Sequence, residues 1–152
     1  MSAASPLASL VPAEIPARLA ARAIDVLVLA ALDVGLGRLI GFGFDWLLLG
    51  SATVLAYFAL LDTTLGATPG KFALGLRVVS PDGGRPTLRQ ALIREAFTVV
   101  GAIPFLGPLL ALAAWGWILA TIRANPLRQG KHDQLAGGTR VVRVQTKRRR
   151  AT

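Results

Sequence analysis

The sequence contains no cysteine and one histidine, His132. Disulfides, thiolate nucleophiles and cysteine-ligated metals are excluded, and a zinc site on a single histidine is not expected. Charge is scarce too: 16% of the 152 residues are charged, against roughly 25% in an ordinary soluble domain. Acidic residues number 8 against 17 Lys and Arg, which leaves a net charge of +9. Apolar residues are abundant at 53%, and the mean hydropathy is +0.56. So short a chain has too few polar groups to cover that much apolar surface in water, so lipid is the expected solvent. No convergent catalytic set is discernible, so neither an enzyme nor a bound cofactor is expected.

The basic residues lie between long apolar stretches instead of decorating a soluble fold. This argues against a nucleic-acid partner and for a bilayer with an anionic cytoplasmic leaflet. The first fifteen residues lack a basic start, contain Glu14 and carry Pro6, Pro12 and Pro16. They are expected to be a flexible extension (1–15) rather than a signal peptide. A transmembrane domain is expected over 16–144 and a basic tail over 145–152.

Four apolar segments are readable. The first, about Arg18 to Ile40, spans roughly 34 Å as a helix, enough to cross a bilayer. It carries Arg18, Arg22, Asp25 and Asp33. At 100° per residue these four fall within about 80° of arc, which makes one charged stripe. The second, Trp46 to Leu61, has no charge, and Asp62 closes it. The third begins near Leu88, with Thr87 as its N-cap, and its apolar part runs from Ala96 to Ile103. Pro104 and Pro108 bracket a turn before the fourth, Leu109 to Ile122, which Asn125-Pro126 stops. Between the second and third segments, 74–80 reads as a short strand ahead of the Pro81-Asp82-Gly83-Gly84 turn, and 139–144 reads as another. The two strands are expected to pair on the cytoplasmic side.

The expected fold is therefore an all-α integral membrane protein of two transmembrane hairpins, four helices, with those short strands. Basic residues collect at Arg18 and Arg22, in the 63–94 loop and in the tail. The positive-inside rule places all three, and both termini, in the cytoplasm. Three crossings, or a re-entrant third helix, remain open because the third apolar stretch is short.

RLAARAID (18–25), GATPGKFALGLRVV (66–79), DGGRPT with the following LRQALIRE, and GKHDQLAGGTRVV (130–142) together resemble the RDD family of bacterial membrane proteins. The resemblance covers most of 16–144. It implies a multi-pass protein of the bacterial inner membrane, and it matches the family's arginine and two aspartates to Arg18, Asp25 and Asp133. Arg22 and Asp33 are additional charges outside that pattern.

The stripe admits two readings. Asp25 and Asp33 could bind a cation or proton, or the charges could fasten helices together, Arg22 pairing with Asp25 three residues on. Gly66-Ala-Thr-Pro-Gly70-Lys71 superficially resembles a phosphate loop but has Leu65 and Phe72 where glycine and a hydroxyl are needed. It is expected to be a turn with Lys71 near lipid headgroups. Asp133 is expected to tie down the tail, with Arg77 or Arg85 as partner. Lys147, Arg148, Arg149 and Arg150 are expected to face lipid. Two functions follow. One is an accessory subunit or assembly factor bound to other membrane subunits. The other is an oligomeric transporter, with cation/proton antiport at Asp25 one form of it.

Overall fold

The computed structural model describes residues 10–103 and 105–144, the side chains of Ala102 and Pro108 excepted. Lys147, Arg148, Arg149 and Arg150 lie outside the described residues, as do Pro104 and the first nine residues.

Helix α1 runs Ile15–Ile40, with Pro16 in its first turn where a missing N–H costs nothing. It ends at Gly41, whose φ of 87° suits a residue without a side chain. Helix α2, Phe44–Thr64, returns alongside it with Asp45 at its positive N-terminus. Among the described helices α2 is the one long and apolar enough to cross a membrane by length and composition. Helix α5, Gly107–Ala124, carries a shorter apolar stretch, Leu109–Ala124.

Two short helices stand where loop and tail were expected. Helix α3, Pro69–Ala73, begins at Thr68, whose hydroxyl accepts the Lys71 N–H at 3.4 Å. The later helix α6, Lys131–Leu135, is capped by Asp133, which accepts the Gly130 N–H at 3.2 Å. Strand β1, Leu76–Val79, pairs antiparallel with β2, Arg140–Arg143, from Leu76↔Arg143 to Val79↔Arg140. Their Val-rich sequences suit the pleated surface. Gly75 (φ 64°) and Gly137 and Gly138 (φ 84° and 89°) turn the chain into them.

The described part of the N-terminal extension, from residue 10, departs from expectation. Pro12 bridges Val142, the Ala13 N–H donates to the Val141 carbonyl at 2.9 Å, and the Arg143 N–H donates to the Val11 carbonyl at 2.9 Å. Residues 11–13 thus extend the sheet at its β2 edge. An exposed strand edge offers unmade hydrogen bonds, and the chain fills it with its own N-terminal segment.

The third segment is not one α-helix. Helix α4, Leu88–Glu95, opens with a capping box in which Thr87 and Gln90 exchange bonds of 2.9 and 3.3 Å. It gives way to a 3₁₀ helix over Ala96–Ala102. Thr98, Val99, Val100 and Gly101 are all poor α-formers, and the Thr98 hydroxyl donates to the Glu95 carbonyl at 2.7 Å. At 1.5 and 2.0 Å per residue the two pieces together reach about 26 Å.

Apolar packing is concentrated under the sheet. Ala13, Ala21, Leu76, Val78 and Val141 form the main buried cluster, with the larger side chains contributing about 1.5–3 kcal/mol each. The long helices show the reverse arrangement. Leu27, Leu39, Phe44, Leu109 and Leu112 are exposed, while Asp25, Asp62, Arg94, Glu95 and Asp133 are buried.

Candidate functional site

Four buried acids, Asp25, Asp62, Glu95 and Asp133, come together with four bases, Arg18, Arg22, Lys71 and Arg94. Each element contributes through its own local geometry. Arg18, Arg22 and Asp25 lie on the single stripe of α1. Asp62 sits in the last turn of α2, Lys71 on α3, Arg94 and Glu95 at the end of α4, and Asp133 on α6.

Asp25 is completely buried and accepts three hydrogen bonds: Thr68 hydroxyl at 2.5 Å, Gly70 N–H at 2.8 Å and Tyr57 hydroxyl at 3.0 Å. It thereby fastens α1 to α3 and α2. Gly70 is required at this contact, because a side chain there would run into the Ala21 carbonyl and meet the Asp25 carboxyl at 3.0 Å. Arg22 does not pair with Asp25. It reaches Glu95 at 3.1 Å and lies over the Phe58 ring of α2 at 3.7 Å, because α4 packs on α2, which lies alongside α1.

Lys71 does not approach lipid headgroups. It is buried and donates to both Asp62 oxygens, at 2.6 and 2.7 Å. Burial pushes its ammonium below the ordinary lysine value, and the Asp62 charge opposes that fall. Asp133 meets Arg94 at 2.9 Å and Arg18 at 3.5 Å, rather than Arg77 or Arg85. Arg85 instead donates to the Thr64 carbonyl. Burial alone would raise the Asp133 carboxyl, but the Arg94, His132 and Arg18 charges and the Gly130 N–H hold it below its ordinary value. His132, 3.7 Å from Asp133, is pushed down to about 4, chiefly by burial, with Asp133 opposing and Arg94 reinforcing the fall. It is neutral at pH 7. Arg18 also donates to the carbonyls of Arg128 (2.7 Å), Ala13 and Val141 (both 3.2 Å), tying α1 to the C-terminal segment.

Arg18, Asp133, Asp25 and Arg22 therefore belong to one cluster, with Arg18 and Asp133 in direct contact. Asp33 lies apart, half-buried two turns further along α1, beside Gly50 of α2. The sequence reading missed Asp62, Lys71, Arg94 and Glu95 as partners. One local signal pointed to α3: the Thr68-Pro69 pair is an N-cap followed by proline at N1. Among the described residues no group of three or more His, Asp or Glu is arranged to hold a metal. The space inside the cluster is about 60 Å³, room for a few waters.

A mostly helical chain with apolar helices outside and a buried charge cluster inside is a helical membrane protein. The model of the RDD family matches residues 12–137, and the chain belongs to that family. Comparison with curated proteins and with solved structures found no match.

Proposed function

We propose that this protein is a small multi-pass subunit or assembly factor of a larger membrane complex, working without catalysis or cofactor in the bacterial inner membrane. One observation carries this reading: three of the four buried acids, Asp62, Glu95 and Asp133, are ion-paired with Arg18, Arg22, Lys71 and Arg94, and the fourth, Asp25, is held by three hydrogen-bond donors, around a space of about 60 Å³. Such a cluster fixes α1, α2, α3, α4 and α6 relative to one another. The exposed apolar helices are then free to meet lipid and partner helices.

Two hairpins fit this arrangement. The α1–α2 hairpin crosses and returns. The α4–3₁₀ arm and α5 form the second, with α4 at headgroup depth and the 3₁₀ stretch inside the bilayer. The sheet, the cluster and both termini then face the cytoplasm, where the basic residues lie. Transport is the second reading, and Asp33 supports it better than Asp25, whose carboxylate is held by three donors.

Affinity purification at native expression in mild detergent, with mass spectrometry of the eluate, tests the proposal. Co-purification of one larger membrane complex in fixed ratio is the expected result. Recovery of copies of this chain alone would sink it.

A further inference from the structure

A second, more open cavity lies between α1, α2, the 3₁₀ stretch and α5, and measures about 480 Å³. Small side chains create it, among them Ala30, Gly50, Ser51, Gly101 and Ala111. The volume is within the usual range for small-molecule pockets, and the walls are mostly apolar, as such pockets are.

The polar groups of this cavity are one-sided. At one end is the Asp33 carboxylate, which has no hydrogen-bond donor and no cation as partner among the described residues. The Ser51 and Thr98 hydroxyls on the walls each donate to a backbone carbonyl, Leu47 at 2.7 Å and Glu95 at 2.7 Å, and present lone pairs. The Trp46 indole N–H is used as well, on the Asp33 carbonyl at 3.1 Å. At the other end Arg22 is held by Glu95 and stacked on Phe58, with Phe97 and Trp115 beside it. Apart from Arg22, whose guanidinium is paired with Glu95 and stacked on Phe58, the cavity offers acceptors and π faces. The cationic side chain among its described lining residues, Arg22, is already paired with Glu95, which disfavours an anion. A cation finds a carboxylate that is costly to leave uncompensated at membrane depth, and an apolar or aromatic body finds aromatic walls.

We infer that this cavity binds a small organic ammonium ion with an apolar or aromatic body. Its charged head sits at Asp33. Its body points toward Phe58, Phe97 and Trp115, because the Arg22 charge repels the head at that end. Asp33 and Arg22 lie eleven residues apart on one face of α1, so the ligand is limited to roughly 16 Å in length. This inference does not rest on the subunit reading. Co-purification tests that reading, whereas ligand titration tests this one.

The test uses the full chain in phosphatidylcholine nanodiscs at neutral pH, titrated calorimetrically with phenethylammonium, with empty discs subtracted. Neutral 2-phenylethanol and anionic 3-phenylpropionate are the comparison probes. Saturable binding of the ammonium is expected, weakened at least tenfold by Asp33→Asn and unchanged by Asp45→Asn, which alters an exposed carboxylate outside the cavity. Phenylethanol is expected to bind weakly and equally to wild type and Asp33→Asn, and phenylpropionate not to bind. Should Asp33→Asn fail to fold, Ser51→Leu fills the cavity while retaining the carboxylate, and it too is expected to abolish binding. No saturable binding to wild type overturns the inference, as does equal binding to a folded Asp33→Asn or to Ser51→Leu. A shift of Asp33→Asn to a different oligomeric state without ammonium binding also overturns it, and assigns the carboxylate to a neighbouring helix.

Discussion

Lys71 gives up nearly all its hydration to reach Asp62, and neither charge would be tolerable there alone. Lys71→Met should therefore destabilise the protein by about 3–5 kcal/mol, the usual penalty for stranding one member of a buried pair. Lys71→Met with Asp62→Leu should recover much of that loss, but not all, since Asp62 also faces Arg94 at 4.0 Å. Thermal denaturation of the four proteins of this cycle in one detergent measures the coupling. If the double variant is as unstable as the sum of the singles, the pair is not the coupled unit described. His132 gives a pH dependence. Its folded value of about 4 lies below its ordinary 6.5, so between these the unfolded chain binds more protons and folding weakens as pH falls. The loss should reach about 3 kcal/mol by pH 4. Asp133, held low by its partners, adds a further loss as the pH drops through its folded value. His132→Gln should flatten the first part of this decline, and an unchanged profile would remove His132 as its source. At this scale the sequence was informative about α1 and little else. A stripe of charge is a helical pattern and can be seen locally. Lys71 and Arg94 sit in segments rich in Gly, Pro and Arg, where a buried charge and a solvated one look alike until distant elements pack together.

The elements were more legible than their contacts. Thr87 caps α4 as its pattern implies, and the two Val-rich segments pair. The 3₁₀ break was hidden because apolar residues with weak α-propensity still read as a helix in hydropathy, and only packing against α5 at Gly101 and Gly107 reveals the tighter winding. The five-residue α3 and α6 are too short for periodicity to show, and both are stabilised by tertiary contacts, α3 through the Gly70 N–H to Asp25 and α6 through Asp133 to Arg18 and Arg94. The close approach of α3 to α1 can be probed through glycine. At Gly70 an added methyl collides with the Ala21 carbonyl, so Gly70→Ala should cost about 1–3 kcal/mol or more and loosen Asp25 from its donors. At Gly35, on α1, an added methyl meets nothing within 4 Å, and Gly35→Ala should stabilise by up to about 1 kcal/mol through helix propensity. Thermal midpoints decide the matter. Similar midpoints for the two variants would mean that α3 does not pack on α1 as described.

For the whole molecule, burying charge and exposing leucine makes sense only if the surroundings of the helices are apolar. The sheet and cluster then form a polar head at one end of the bundle. Composition alone indicated lipid, but the sidedness rests on where the loops emerge, and the absence of cysteine makes that directly measurable. Phe42 lies in the α1–α2 turn and Phe105 in the turn before α5, both strongly exposed, while Asp82 is exposed in the loop after β1. Single cysteines at these three positions report on three loops without background labelling. A membrane-impermeant maleimide applied to intact spheroplasts should label Phe42→Cys and Phe105→Cys. Asp82→Cys should label only after permeabilisation. Were Phe105→Cys also protected while Phe42→Cys labels, the α4–3₁₀ arm would not reach the outer face, and 26 Å of mixed helix would be a re-entrant hairpin held on α2 by the Arg94–Asp62 contact. Labelling of Asp82→Cys in intact cells would invert the molecule and place the basic loops outside, contrary to the orientation proposed from the charge asymmetry.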